Sequence, residues 1–284
     1  MGIGKTIKIQ KIKASGTREE KQDIIPGELL LNIFINGKRS SILSCSPSGI
    51  IELVTGYIIS NGYADDYGDI ELASLCRDED DAGQEAGDKG PGFHNIMSAK
   101  VRITGYNGPD PPGGLVPYLS AGCGNLNPAA MGGVFKKNID LEKSKEDIAV
   151  DYRVILELGK KLIGEQKYKK EFGGLHSAAL FDTGGQMISL MEDLGRHNCI
   201  DKIFGHMLIN SIAPKDKMIF TSGRASLDLV LKALQMSVPI IVTNSSVTYN
   251  AAEIAQKAGL TLIGYARGKR FNIYSCPERI IKAG

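Results

Sequence analysis

Cys123 stands between Gly122 and Gly124 in the run LVPYLSAGCGNLN, downstream of the glycine- and proline-rich GYNGPDPPGG. Flanking glycines strip steric cover from a thiol, and a thiolate is the reactive form, so the setting suits nucleophilic sulfur chemistry. An inert loop thiol has the same signature. The other cysteines lack even that: Cys45 precedes Ser46-Pro47 at a strand end, Cys199 precedes Ile200 on an amphipathic run, and Cys76 and Cys276 sit in no motif. Five thiols with no close pair leave one over, which points to a reducing compartment and no disulfide framework.

Three polar loops suggest where an anionic guest would sit. Ser222-Gly223-Arg224-Ala225-Ser226 follows the apolar run MIFT and opens a helix, Asn244-Ser245-Ser246 follows PIIVT, and Tyr265-Ala266-Arg267-Gly268-Lys269-Arg270 follows TLIG. Ligands of open parallel sheets gather beyond the carboxyl ends of the strands. Glycine permits close backbone approach, helix-opening amides attract anions, and Arg224, Arg267, Lys269 and Arg270 supply positive charge, so a phosphate or nucleotide is the natural guest. Any one of these loops reads equally as a solvated turn; three on one edge favour a site.

Glu192-Asp193-Leu194-Gly195-Arg196-His197-Asn198 is the densest polar cluster, falling between a strand and a helix. A glycine ahead of Arg196 and His197 suggests another ligand-facing turn, and an imidazole can act as acid or base near neutral pH. The cluster also suits a structural role, with Asp193 or Asn198 as a helix cap and Arg196 as an ion-pair partner. His176, opening an apolar strand, fits a core or edge position. Metal chemistry has no foothold: the sequence holds no C-x2-C, no H-x3-5-H and no H-E-x-x-H around His94, His176, His197 or His206. Met1-Gly2 with Thr6, and Gly4-Lys5-Thr6, mimic myristoylation and phosphate-loop signals without the context either needs.

The elements that must position these groups fall into two parts. ELLLNIFI, bounded by Pro26-Gly27 and Asn36-Gly37, predicts a strand entering a tight hairpin, with Ser40 to Ser44 returning. Ile50, Leu53, Val54, Tyr57 and Ile58 then recur at helical spacing up to Gly62. The acidic run from Asp78 to Gly92 and the stretch from Gly105 to Gly114 read as mobile loops flanking the strand SAKVRI. Ser144-Lys145-Glu146-Asp147 resembles a capping box ahead of a helix whose stripe is Ile148, Ile155, Leu158 and Leu162. Next, Asp182-Thr183-Gly184-Gly185 joins two strands, a helix runs from about His197 to Ile209, and MIFT, SLDLVLKALQM, PIIVT, YNAAEIAQKA and TLIGYA alternate strand and helix. That alternation predicts a largely parallel sheet. The expected division is residues 1–140, an N-terminal β/α domain carrying the thiol loop at about 105–127, and residues 141–284, an α/β domain.

Composition narrows the class of function. The 284 residues are 42% hydrophobic and 23% charged, which suits a soluble globular chain rather than a disordered one. Thirty-four Lys and Arg against 32 Asp and Glu give a net charge of +2, too balanced for a dedicated nucleic-acid binder. Tryptophan is absent and aromatics make up 6%, which disfavours base-stacking platforms. The N-terminus has no apolar leader segment, and no run approaches the roughly 20 residues of a membrane span, so a cytoplasmic protein is expected.

GLHSAALFDTGGQMISLMEDLGRHNCIDKIFGHML, followed by TSGRASLDLVLKALQMSVPIIVTNSSVTYNAAEIAQKAGLTLIGYARGKRFNIYS, closely resembles the formate dehydrogenase accessory sulfurtransferases, the FdhD family. CSPSGIIELVTGYIISNGY resembles that family's N-terminal helix motif. The resemblance implies a cytidine-deaminase-like three-layer α/β/α fold for the second domain, an overall α/β class with an α+β N-terminal part, and a homodimer. It also implies a function: taking sulfane sulfur from a cysteine desulfurase as a persulfide on Cys123 and delivering it to the molybdenum bis(molybdopterin guanine dinucleotide) cofactor for formate dehydrogenase. By position, Tyr265 to Arg270 would help bind that guanine-nucleotide-containing cofactor, joined by Ser222, Gly223, Arg224, Arg196 and His197 of the anion edge.

One position departs from the pattern. Many members have C-x-x-C in the loop, whereas Cys123-Gly124-Asn125-Leu126 has leucine second. A persulfide needs one thiol, so carriage survives while a two-cysteine relay does not. The departure keeps a cofactor-binding chaperone, with Cys123 a bystander, in contention. A nucleobase deaminase is disfavoured, since that chemistry needs H-x-E and P-C-x-x-C to hold zinc.

Overall fold

A computed structural model describes residues 3–77, 96–106, 118–119 and 148–282. Cys123, the acidic run from Asp78 to Gly92, most of the 105–127 loop, the 144–147 capping box and the expected boundary near residue 140 all lie outside the described residues. The N-terminal segment forms a two-stranded antiparallel ribbon, β1 (Gly4–Ile12) and β2 (Arg18–Pro26). Its polar composition hid these strands from the sequence reading.

β3 (Leu29–Ile35) and β4 (Lys38–Cys45) form the expected hairpin. Asn36 at φ 48° and Gly37 at φ 83° both take the left-handed conformation that a type I′ turn demands. With β5 (Ile70–Arg77), β6 (Ile96–Ile103) and the short β7 (Tyr118–Leu119) they make a five-stranded sheet in the order β5-β6-β3-β4-β7. Helix α1 (Ile50–Ser60) follows at once, burying Leu53, Val54, Tyr57 and Ile58.

The capping-box reading needs correction. Asp151, not Ser144, caps the next helix, α2 (Tyr152–Glu165), its carboxylate accepting from Arg153 N at 2.8 Å. Ile148 is buried ahead of that helix rather than on it, because Val150–Asp151 (β8) is drawn into a parallel pair with Ile280–Ile281 (β15). Ile155, Leu158 and Leu162 do form the buried stripe.

After a short helix α3 (Tyr168–Phe172) come β9 (His176–Asp182), β10 (Met187–Asp193), α4 (Arg196–Ile209), β11 (Lys217–Thr221), α5 (Leu227–Gln235), β12 (Ile240–Thr243), α6 (Tyr249–Lys257), β13 (Thr261–Arg267) and β14 (Arg270–Ser275). The six-stranded sheet runs β10-β9-β11-β12-β13-β14. It is mixed, not largely parallel: β11–β12 and β12–β13 are parallel, while β10–β9, β9–β11 and β13–β14 are antiparallel. The hairpins at its two ends supply the antiparallel strands. Strands β10, β11, β12 and β13 consequently share one direction.

Alternate side chains of the central strands serve two cores, as the period of two requires. Ala179, Phe181, Phe220, Val242 and Ile263 meet α2, while Ala178, Leu180, Ile219, Ile241 and Leu262 meet the layer of α4, α5 and α6. The result is three layers. The second core continues through α1 into Leu29, Leu31 and Ile33 of the first sheet, so both sheets share one apolar interior. Helices α1 and α4 cross backbone against backbone. A Cβ on Gly56 would stand 1.8 Å from the Asp201 carbonyl oxygen, and one on Gly205 would stand 1.9 Å from that of Glu52. No larger residue fits either position without parting the helices.

A candidate anion-binding edge

The shared direction of β10 to β13 puts four carboxyl ends on one edge of the sheet, and α4, α5 and α6 start there. Their N-cap residues, Gly195, Ser226 and Thr248, make no side-chain cap hydrogen bond. First-turn amides and the positive ends of three helix dipoles therefore face the same edge, an arrangement that favours anions.

Backbone bonds lace the loops of that edge together. Ala225 N donates to Ser246 O at 3.0 Å, Thr248 N to Ala225 O at 3.1 Å, and Tyr265 N to Ser245 O at 2.9 Å. The Thr243 hydroxyl donates to Gly223 O at 2.6 Å, and Arg267 Nε donates to Asn244 O. Ser222 is tied to β9: its amide donates to Ser177 O and its hydroxyl accepts from Ser177 N, both at 2.9 Å. Glycine is required at 223, where a Cβ would lie 2.7 Å from Arg196 Cβ. The structure thus brings Ser222, Gly223, Arg196 and the 244–246 loop into one neighbourhood.

The third loop is less of a loop than expected. Tyr265 to Arg267 complete β13 and Arg270 opens β14, so only Gly268, at φ 59°, and Lys269 form the turn, with Arg267 and Arg270 as a cross-strand pair. Antiparallel pairing past Gly264 captures residues whose polarity suggested a loop. A register shift between Gly264 and Arg267 interrupts the ladder, and Tyr265 there takes φ 51°, uncommon for a bulky residue, and is 42% exposed. Bulges of this kind re-aim side chains, and strained residues concentrate at functional sites. Arg224, Arg267, Lys269 and Arg270 are exposed, whereas Ala266 is buried against the α2 core and turns its methyl away from any guest.

The polar cluster ahead of α4 divides its labour. The Glu192 carboxylate accepts from the amides of Lys167, Tyr168 and Lys169 at 2.8 to 3.0 Å, holding the start of α3. Asp193 is fully buried, accepting from Ser46 N, Gly195 N, Asn198 Nδ2 and Lys202 Nζ. Both belong to the scaffold. His197 is different: its Nδ1 lies 2.9 Å from Asp228 Oδ2 at the start of α5. Burial alone would raise the Asp228 pKa, but the close approach of His197 and the positive charges of Lys232 and Arg196 hold it below the usual carboxylate value. His176 is held below the ordinary imidazole value, chiefly by burial and then by the charges of Arg196 and Lys169.

The sequence reading missed Asp228, Asp201 and Lys232. Asp201 and Lys232 form a second buried bridge between α4 and α5 at 2.7 Å, completed by the Ser60 hydroxyl of α1 at 2.6 Å. The only sequence signal is the i, i+4 spacing of His197 with Asp201 and of Asp228 with Lys232, which puts each pair on one helix face. Burial in apolar surroundings drives the thiols of Cys45 and Cys199 far above the usual range, so both are held protonated. Among the described residues no group of three His, Cys, Asp or Glu side chains could hold a metal ion, and no helix is long and apolar enough to cross a membrane. An open cleft of about 1110 Å³ lies elsewhere, along edge strand β10. Glu52, Glu157, Glu165 and Glu192 there offset Lys160, Lys161, Lys167 and Lys202, giving an anion no net attraction.

Fold and site together define a three-layer α/β protein with a cationic edge as its candidate anion-binding site. Residues 26–281 match the FdhD/NarQ family, and the chain belongs to it. It is 34% identical over 275 residues to the sulfur carrier protein FdhD of Sulfolobus acidocaldarius, covering 96% of this chain and 97% of that one. It is also 31% identical over 281 residues to the protein of the same name from Sulfurisphaera tokodaii, covering 98% and 99%. A crystal structure described as a formate dehydrogenase accessory protein, from Desulfotalea psychrophila, shares the fold with a TM-score of 0.69 at 19% identity, covering 99% of this chain and all of that one.

Proposed function

We propose that this protein is a sulfur carrier in formate dehydrogenase maturation, acting as a sulfurtransferase between a cysteine desulfurase and the molybdenum guanine dinucleotide cofactor. The reading rests on membership of the FdhD/NarQ family, whose relatives bear the name sulfur carrier, and on the cationic edge, whose chemistry suits the phosphates of a dinucleotide. In the receiving step the Cys123 thiolate attacks the outer sulfur of the desulfurase persulfide. A new S–S bond forms on Cys123, the old S–S bond breaks, and its electron pair leaves on the desulfurase cysteine as a thiolate, with no net oxidation. The cofactor is cargo: its diphosphate would lie at Arg224, Arg267, Lys269 and Arg270 with Ser222, Gly223, Arg196 and His197 beside it. Action is in the cytoplasm as a homodimer, with formate dehydrogenase as final recipient.

A second reading, a cofactor chaperone that carries no sulfur, is favoured by one observation, Leu126 in place of a second loop cysteine. Guanosine diphosphate titrated into wild type and the Arg267→Ala and Arg270→Ala variants tests the binding half common to both readings. Unchanged affinity in both variants would remove these side chains from the site.

A further inference from the structure

Strand β10 is an open edge of the six-stranded sheet, and its sequence does little to close it. Met187-Ile188-Ser189-Leu190-Met191 carries no charge and no proline, whereas β14 at the opposite edge exposes Arg270, Asn272 and Tyr274. Unguarded edges are templates for another strand. The direction of the open groups follows from β9. Ser177 turns both its amide and its carbonyl to Ser222 on the β11 side, so Ala178 and Leu180 turn theirs to β10, where they face Met191 and Ser189. Leu190 and Glu192 therefore point their backbone groups away from the sheet. The Glu192 carbonyl accepts from Lys202 Nζ at 3.4 Å, but among the described residues no strand pairs with the Leu190 amide, the Leu190 carbonyl or the Glu192 amide. Ile188, left without a partner by the bulge, ends the regular stretch. These groups lie along the cleft of about 1110 Å³, which has α2 on one side and the start of α1 on the other. Gln186 to Glu192 line it over roughly 20 Å, at about 3.3 Å per residue.

We propose that β10 receives an extended peptide segment of a partner protein as an added strand, its main chain bonding to Leu190 and Glu192. Two of the cleft's charges are already partnered, Glu192 by the α3 amides and Lys202 by Asp193. What remains is asymmetric. On the α2–α3 wall Lys160, Lys161 and Lys167 outnumber Glu157 and Glu165, while the α1 wall carries Glu52. Successive side chains of a strand point to opposite faces of the sheet, so alternate ones meet the basic wall and the others meet Glu52. The fitting segment carries an acidic residue beside a basic one, with apolar residues against the partly exposed Met187, Ile188 and Met191. Main-chain bonds supply affinity in this mode, and the wall charges set the register. A second copy fits less well, because its own β10 lies in the same helix-walled cleft. The inference goes beyond the sulfur-carrier reading and does not depend on it.

The probe is a phage-displayed library of random linear dodecapeptides selected on the full-length chain, with the selected sequences remade as synthetic peptides. Hydrogen exchange read at single amides by NMR is expected to slow at Leu190 and Glu192 by about tenfold or more when peptide is added, the worth of one net hydrogen bond. Two variants separate main chain from side chain. Leu190→Ala keeps the amide and should retain binding, whereas Leu190→Pro removes it at an edge position, where proline is tolerated, and should lose binding by about tenfold or more with an unchanged circular dichroism spectrum. If Leu190→Pro fails to fold, the wild-type amides decide alone. A library that yields no binder overturns the proposal, as do binders that leave both amides unchanged. Protection of the two amides in the free protein also overturns it: protection independent of concentration assigns β10 to another segment of this chain, and protection that rises with concentration assigns it to a second copy.

Discussion

Removing the Asp193 carboxylate should cost this protein a large part of its stability. Asp193 is fully buried and accepts four hydrogen bonds: from Ser46 N at 3.1 Å, Gly195 N at 2.9 Å, Asn198 Nδ2 at 2.8 Å and Lys202 Nζ at 2.5 Å. Lys202, itself 1% exposed, keeps its charge because Asp193 offsets a burial that alone would favour the neutral amine. Asp193→Ala leaves that ammonium unpaired together with two buried amides. Breaking a buried pair from one side costs about 3–5 kcal/mol, against a total of roughly 5–15 kcal/mol for a domain. Lys202→Met should cost less, because Asp193 retains its other three donors. Equilibrium urea unfolding followed by circular dichroism measures both. A loss below about 1 kcal/mol for Asp193→Ala, or a larger loss for Lys202→Met, would refute the assignment of Asp193 as the hub joining β4, β10 and α4.

Further outcomes follow from the same geometry. Arg267→Ala and Arg270→Ala should each weaken guanosine diphosphate binding by about 1.5–3 kcal/mol where the guanidinium touches phosphate, read by calorimetry. Gly56→Ala and Gly205→Ala should each destabilise by about 1–3 kcal/mol or more, since the new methyl meets backbone rather than a yielding side chain; a neutral thermal midpoint would contradict the crossing. Stability should fall as the pH drops below the ordinary imidazole value of 6.5, because the unfolded chain then protonates His176 before the folded chain does, and His176→Gln should flatten that slope in pH-dependent urea titrations.

Local signals in the sequence were sufficient for most elements. The Asn36-Gly37 turn, the α1 stripe and the strand–helix alternation from β11 to β13 are set by short-range patterns, and the fold realises them. Elements defined by pairing rather than composition were not legible. β1 and β2 carry no continuous apolar run to mark them as strands, Tyr265 to Arg270 read as a loop until β14 paired with β13, and the sheet read as largely parallel because no local signal fixes where an edge strand returns. At the site, Arg224, Arg267, Lys269 and Arg270 announced themselves by charge beside glycine. Asp228 did not, since an acidic residue in a first helical turn is ordinary and only tertiary packing brings it to His197. Ala266 sits between exposed Tyr265 and Arg267 in the sequence, but strand alternation turns it inward.

The central claim is that Cys123 carries sulfur. Intact-protein and peptide mass spectrometry after incubation with a cysteine desulfurase and cysteine tests it most directly. The account predicts a gain of one sulfur atom on the Cys123 peptide, removed by a reducing agent and absent in Cys123→Ala, while Cys199→Ala and Cys276→Ala still load. Sulfur gained equally by Cys123→Ala, or an unmodified Cys123 in a protein that still matures formate dehydrogenase, would contradict it.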